Sequence, residues 1–404
     1  MTGQTRRIKD AELLDRPGVR RVFALLNRDG EEARLVGGSV RNLLMGLPIS
    51  DMDICTTALP DTVLARAAAD GIHAVPTGYV HGTITLVVDG VPHEVTTLRE
   101  DIETDGRRAV VRYGRDFAAD ALRRDFTINA LSLGADGTLY DYADGLADIE
   151  LRRVRFIGDA DQRIREDYLR ILRFFRFSAV YGDGSLEPVG WQAVLRGRAG
   201  LAGLSRERVR QETMKLLVAP QAQAVLYAMA DGGFLIEVLG DAGDVAAFGR
   251  LTALEAAHGL SGDAILRLAT LAVRDVADIE RLRGRLCLTN REETRLEAIL
   301  PPLAADLDDA GLKAALYRRG AAAYRDALLM TAALRDKTDG LFQALALPRH
   351  WHAPAFLVTG TDVMALGIPR GPEVGRTLSA IEARWIDAGM PVGREAQLGL
   401  VALS

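Results

Sequence analysis

Hydrophobic and polar positions follow two different rhythms along this chain. Up to about Leu98 the pattern changes every few residues, as in an α/β fold. Ala33–Val36 is a short apolar run that stops at Gly37-Gly38-Ser39, and an apolar helical stretch follows through Leu44. Ile49–Cys55 predicts the next strand, and the alanine-rich residues 61–70 predict a helix. Thr83–Val88 and Val91–Thr97 are β-rich runs joined by Asp89-Gly90, a two-residue hairpin signal. Residues 1–32 read as a helix and linker. Residues 99–116 are polar, carry Arg107, Arg108, Arg112 and Arg115, and read as a mobile loop. After about Asp148 strand signals nearly vanish. Helical spacing then runs to the end, with breaks near Gly182–Gly184, Gly232-Gly233 and Leu347–Pro354. The expected fold is a small α/β head, a mixed sheet with helices, followed by a long all-α remainder.

A chain of 404 residues is enough for two to four domains. Its 48 % hydrophobic and 26 % charged residues are an ordinary globular mixture. No apolar run approaches the ~20 residues needed to span a bilayer, so no membrane partner is expected. MTGQTRRIKDAELL lacks the apolar core of a secretory signal. Two cysteines, Cys55 and Cys287, cannot build a disulfide framework and sit in no CxxC, which points to a reducing cytoplasm and away from zinc. The net charge of −5 argues against a nucleic-acid partner until its distribution is considered. Residues 150–215 hold fourteen basic against nine acidic side chains, and residues 216–404 nineteen against twenty-three. The middle of the chain is therefore basic, almost wholly through arginine, which grips phosphate with two hydrogen bonds.

The chemistry-bearing residues begin at Asp51-Met52-Asp53. In a strand, residues i and i+2 face the same side. Two carboxylates placed so repel one another unless a cation lies between them, and an all-oxygen donor set suits Mg²⁺. Gly37-Gly38-Ser39 stands between a strand and a helix, where glycine lets backbone approach a phosphate and the helix N-terminus offers free N–H groups. Arg41, one turn into that helix, can reach the same anion. Glu94 in PHEVTTLR supplies a third carboxylate on a strand expected to pair near the Asp51–Asp53 strand. Such a set fits two-metal transfer, in which one ion lowers the pKa of an attacking hydroxyl and the other stabilises a leaving pyrophosphate.

Together these residues resemble a known signature. LVGGSVRNLLMG followed by DMDI is similar to the class II nucleotidyltransferases, the CCA-adding and bacterial poly(A) polymerase family. RRDFTINAL (Arg123 to Leu131), DYADGLADI (Asp141 to Ile149), EDYLRILRFFRF (Glu166 to Phe177) and LSRERVRQE (Leu204 to Glu212) continue the resemblance in the family's order. The tail GTDVMALGIPRGPEVG extends it, and it is weakest over about 220–350. The resemblance implies a nucleotidyltransferase head over 1–150, a neck selecting the nucleotide base over 151–220, a body over 221–350 and a tRNA-binding tail over 351–404. It implies metal ligation by Asp51 and Asp53, with Glu94 as the third carboxylate. Gly38, Ser39 and Arg41 fall at the triphosphate, and Arg124, Asp125 and Asn129 in the block for nucleotide and ribose recognition. Asp141 to Gly145 resembles a flexible head–neck junction. One position departs from the pattern: Asn42 stands where the family usually has aspartate.

The resemblance also implies CTP, ATP and tRNA as partners. Asp167 and Arg170, three apart on a predicted helix, would share a face and offer one acceptor and one set of donors. Cytosine and adenine present an amino donor beside a ring acceptor, which matches that pair. Guanine and uracil present the reverse, and each mismatched buried group costs about 1–3 kcal/mol. Arg173 and Arg176 continue at the same spacing and are similar to the family's nucleotide-phosphate contacts, whereas Leu169, Leu172 and Phe175 read as core. Ser205 reads as the N-cap of a helix over Arg206–Leu217. The six histidines form no paired-ligand pattern and read as structural or surface. Intact carboxylates argue against a catalytically dead RNA-binding protein. Poly(A) addition, or addition of only part of CCA, remains the alternative on the same scaffold.

Overall fold

The computed structural model describes residues 3–8, 12–49, 52–104, 109–304 and 306–400. They form two compact units, Met1–Val238 and Leu239–Ser404. In the first, eight strands build one mixed sheet: β1 (Gln4–Arg7), β2 (Ala33–Val36), β3 (Asp53–Thr56), β4 (His73–Gly78), β5 (Thr83–Val88), β6 (Val91–Thr97), β9 (Ser132–Gly134) and β10 (Thr138–Asp141). Their order is β1-β10-β9-β2-β3-β6-β5-β4. Every named pair is antiparallel except β3 with β6, which run parallel. Leu35, Ile54, Leu86, Val95 and Leu133 on the inner strands are buried.

Residues 99–116 are a correction. The chain there forms a second, two-stranded sheet of β7 (Arg99–Thr104) and β8 (Ala109–Tyr113), with Arg99 opposite Tyr113. Val110, Val111 and Tyr113 are strong strand formers, and the count of charges around them outweighed that signal. The linker reading of residues 1–32 missed β1. Its four exposed residues, QTRR, carry no apolar alternation, and it pairs only at the sheet edge.

Beyond residue 150 the regular elements of the described residues are all helices, apart from an isolated bridge of Phe156 to Phe126. Phe126, from RRDFTINAL, lies 4.9 Å from Phe156 and 5.1 Å from Phe177 between ring centroids, and Phe156 lies 5.3 Å from Phe174. This buried aromatic cluster fixes the Leu169–Tyr181 helix on the sheet-bearing segment. Leu169, Leu172 and Phe175 are core, as their spacing predicts. The helix over Arg206–Leu217 forms as expected, but the Ser205 side chain makes no capping hydrogen bond. In the second unit, Gly320 takes a φ of +73° inside the Asp309–Arg335 helix and kinks it. Trp385 is fully buried there against Tyr317 and Phe356. No helix of the described residues is long and apolar enough to cross a membrane.

Candidate active site

β2 delivers the chain to Gly37, whose φ of +64° is open to glycine at little cost. A Cβ there would lie 2.8 Å from Nη1 of Arg124, so the turn also needs the space. Gly38 opens the helix Gly38–Met45, and a Cβ on it would meet only Nη2 of Arg41, at 3.5 Å. Ser39 is buried and donates its hydroxyl to the Val36 carbonyl at 2.9 Å, which ties strand to helix. No side chain caps this helix, so its first-turn N–H groups remain a place for an anion.

Arg41 is 5 % exposed. It donates through Nη1 to Asn129 Oδ1 at 2.5 Å, through Nε and Nη2 to Asn42 Oδ1 at 3.2 and 2.9 Å, and through Nη2 to Tyr181 Oη at 2.7 Å. All three partners are uncharged. Burial pulls its pKa below the ordinary arginine value, and nearby Arg176 adds to that pull. A guanidinium stays protonated regardless. Asn42 accepts from Arg41 and donates to the Pro48 carbonyl at 2.8 Å. An aspartate there could accept but not donate, and it would neutralise Arg41.

β3 and β6 place Asp53 beside Glu94 in register. Neighbours across a parallel pair share a face, so the expected pairing of these two carboxylates holds. Asp53 is half-buried and faces the cavity, whereas Glu94 is exposed. Side-by-side carboxylates repel, and a hard divalent cation is the group that this oxygen set fits. Asp51 lies outside the described residues.

RRDFTINAL folds across the floor. Arg124 donates to Asp120 Oδ2 at 3.1 Å. Burial disfavours charge on Asp120, but Arg124 and Arg123 outweigh it and hold the carboxyl below its usual range. Asp125 accepts from Asn129 Nδ2 at 3.0 Å and from Arg173 Nε at 2.7 Å. Burial again opposes its charge and Arg173 overrides it, so its pKa is also lowered. Burial pushes the Cys55 thiol, near Asp120, up to about 12. Asp141 spends its carboxylate on the backbone N–H groups of Ala143, Gly145 and Leu146, at 3.1, 3.0 and 2.9 Å, so this segment is a tightly bonded turn.

Asp167 and Arg170 need a second correction. They do not share one helix. Asp167 is extended (φ −156°, ψ 107°) at the end of the Ala160–Glu166 helix. Arg170 is the second residue of the next helix, where its amide bonds the Asp167 carbonyl at 3.0 Å. An aspartate two residues ahead of a helix competes for backbone N–H groups, and Asp167 accepts from the Leu169 amide at 3.0 Å. Its other oxygen accepts from Arg208 at 2.7 Å, while Arg170 donates to Glu166 at 2.5 Å. Arg173 pairs with Asp125, and Arg176 with Glu212 at 2.6 Å.

One cavity of about 510 Å³ gathers Gly37, Gly38, Arg41, Asp53, Arg123, Arg124, Asp125, Asn129, Asp167, Arg170, Arg173, Arg176, Phe177 and Tyr181. That volume suits a nucleotide-sized ligand. Of the predicted site residues, only Ser39 and Glu94 among those described stand beside the cavity lining rather than in it. Tyr181, Phe177, Arg123, Glu166, Arg208 and Glu212 were not singled out. Arg208 and Glu212 do stand in LSRERVRQE, whose match to the family carried the available signal. Tyr181 precedes a glycine that reads as a helix stop, and no local pattern marks it.

Residues 33–155 match the poly(A) polymerase head domain. The chain is 36 % identical to mitochondrial CCA tRNA nucleotidyltransferase 1 of Danio rerio, over 98 % of this chain and 93 % of that one. With the CCA-adding enzyme of Geobacillus thermodenitrificans it shares 42 % identity over 52 % of each. Among solved structures, the CCA-adding enzyme of Bacillus stearothermophilus in complex with CTP superimposes with a TM-score of 0.73 at 28 % identity, covering 95 % of this chain and 96 % of that one. The Thermotoga maritima CCA-adding enzyme complexed with tRNA shares the fold, at a TM-score of 0.70 and 19 % identity over 98 % of both.

Proposed function

Because the chain belongs to the family of CCA-adding tRNA nucleotidyltransferases, we propose that it adds C, C and A to the 3′ end of tRNA from CTP and ATP without a nucleic-acid template. The observation that carries this reading is the single cavity joining the glycine turn, Asp53 and the Asp167–Arg170 pair. Each does a different part of one transfer. The tRNA 3′-hydroxyl gives up its proton to water, its oxygen bonds the α-phosphorus of the nucleotide, the bond from that phosphorus to the α–β bridging oxygen breaks, and pyrophosphate leaves. The uncapped helix at Gly38 and the Arg41 charge hold the triphosphate. Asp53, with Glu94 beside it and Asp51 two residues before it, would hold Mg²⁺. When bound, the ion supplies charge stabilisation and a lowered hydroxyl pKa. Arg124 is anchored by Asp120, and Asp125 and Asn129 by Arg173 and Arg41, which keeps the sugar-facing floor rigid.

Base choice falls to Asp167 and Arg170. A carboxylate oxygen has two lone pairs, so Asp167 can accept from Arg208 and still accept from an amino group. The described bonds of Arg170 all run through Nη1, which leaves the rest of its fork for a ring acceptor. The paired glycines 37 and 38 favour CCA addition over poly(A) addition, since the poly(A) polymerases of the family tend to carry a basic residue in place of the second glycine. The four-part division into head, neck, body and tail completes the reading, with the basic residues 150–215 on the tRNA. Two cysteines with no disulfide between them suit a reducing compartment such as the cytoplasm. Incubation with tRNA lacking its 3′ end, given each labelled nucleotide singly and together, tests the assignment. Incorporation of U or G at rates near those of C and A would overturn it.

A further inference from the structure

Tyr181 ends the helix that carries Arg170, and roughly 16 Å of helix separate the two residues. Its ring lines the cavity, and the Arg41 guanidinium lies 3.7 Å from the ring centroid. Its hydroxyl oxygen accepts from Nη2 of Arg41 at 2.7 Å. The same Nη2 lies 3.5 Å from the position of a Cβ on Gly38. Gly38, Arg41 and Tyr181 therefore converge on one small volume at the mouth of the uncapped helix.

The donors available there are few. A guanidinium has five N–H groups. Arg41 commits Nε and one Nη2 hydrogen to Asn42, the other Nη2 hydrogen to Tyr181 and one Nη1 hydrogen to Asn129. One N–H remains for a phosphate, so Arg41 acts there mainly as a charge. A phenol both accepts and donates. The acceptor side of Tyr181 is filled by Arg41, and among the described residues nothing accepts its own proton. A hydroxyl that accepts from a cation becomes a better donor in turn.

Resting on the nucleotide reading of this cavity, we propose that Tyr181 is a substrate-binding residue, whose phenolic O–H donates to a phosphate oxygen of the incoming nucleotide. One helix then holds the nucleotide at both ends, with Arg170 at the base and Tyr181 at the triphosphate. A purely supporting role, in which the ring only stacks on Arg41, makes a different prediction, because Tyr181→Phe keeps the ring and removes the hydroxyl, both its proton and the oxygen that accepts from Arg41.

The test uses the full chain and Tyr181→Phe. Michaelis constants are measured for CTP and ATP, with inhibition constants for inorganic tripolyphosphate and for cytidine. The expected result is a rise of about tenfold in both Michaelis constants and in the tripolyphosphate constant. Cytidine inhibition and kcat stay as in the wild type, and the melting temperature falls by a few degrees at most, because Arg41 loses one acceptor. An unchanged tripolyphosphate constant overturns the proposal while leaving the function of the cavity standing. Equal losses for cytidine and tripolyphosphate also overturn it, by making Tyr181 a support. A wild-type chain that adds nothing to tRNA and ignores tripolyphosphate overturns both readings at once.

Discussion

The two ends of the cavity handle positive charge in opposite ways. At the glycine turn, Arg41 is buried and bonds only neutral groups, Asn42, Asn129 and Tyr181. Away from it the arginines are matched with carboxylates: Arg170 with Glu166 and Arg208 with Asp167 at the far end, and Arg173 with Asp125 and Arg176 with Glu212 between the two ends. An uncompensated buried cation attracts any anion strongly and with little regard to its shape. A matched pair has little net charge to offer and presents directed donors and acceptors instead. The first suits a triphosphate, common to every nucleotide. The second suits a base edge, which differs between them. The Asn42 departure belongs to this contrast, since the usual aspartate would move the glycine turn toward the matched state.

The largest expected effect lies between these ends, at the carboxylates. Asp53→Ala should lower kcat at least about 10³-fold, the scale of several kcal/mol in the barrier. Binding of tRNA, followed by gel shift, should be nearly intact. Retained activity within tenfold of wild type would remove Asp53 from the metal site. Next comes the unmatched charge. Arg41→Gln keeps a donor but loses the cation, so the Michaelis constants for CTP and ATP should rise together by about 10–100-fold, as for a lost charged hydrogen bond. A change in the ratio of C to A incorporation would break the comparison, because it would give base choice to the wrong end.

Much of this site was legible because its chemistry is compressed into short runs. Gly37 to Arg41 needed only a strand, a turn and a helix, which formed within a residue or so of their predicted limits, whereas the strand expected over Ile49–Cys55 begins only at Asp53 and runs to Thr56. Glu94 was legible through Asp89-Gly90, which fixed its strand in a hairpin, while its register beside Asp53 is set by the parallel pairing of β3 with β6. Asp167 was misread in structure because three-residue spacing suits one helix. The breaking signal was the aspartate itself, which bonds the Leu169 amide and interrupts the run. Tyr181 was hidden for another reason. Its meaning comes from Arg41, 140 residues away in sequence, and no local pattern encodes that contact. The hairpin of β7 and β8 was masked by charge density, which reports exposure rather than backbone pairing.

At the matched end, effects should be smaller and selective. Asp167→Ala removes the acceptor that tests for an amino group, so discrimination against UTP should fall while Michaelis constants for CTP and ATP change little beyond that loss. Arg170→Ala removes the donor to cytosine N3 or adenine N1, and both nucleotides should bind about 1–3 kcal/mol more weakly. Single-nucleotide addition with all four nucleotides separates the variants. An unchanged order of preference in both would reduce the pair to a structural contact.

The smallest effect concerns stability in acid, where matched pairs carry a cost that neutral partners do not. Asp125 is buried, yet Arg173 and the Asn129 amide keep its folded pKa below the ordinary value. A carboxylate with a depressed folded pKa lends stability that is full above its unfolded pKa of about 3.9. That stability is lost as pH falls through the lower, folded value. Asp120, held by Arg124 and Arg123, adds a term of the same sign. Melting temperature should therefore drop as pH is lowered from 5 toward 3. Asp125→Asn cannot titrate, so its melting temperature should be lower than wild type at pH 7 and fall less steeply below pH 4. The difference in slope should be worth about 2–4 °C over that range, the scale of roughly 1 kcal/mol in a unit of this size. Parallel acid curves for wild type and Asp125→Asn would show that the Asp125–Arg173 pair adds nothing to folding, and the contrast between the two ends would then rest on ligand binding alone.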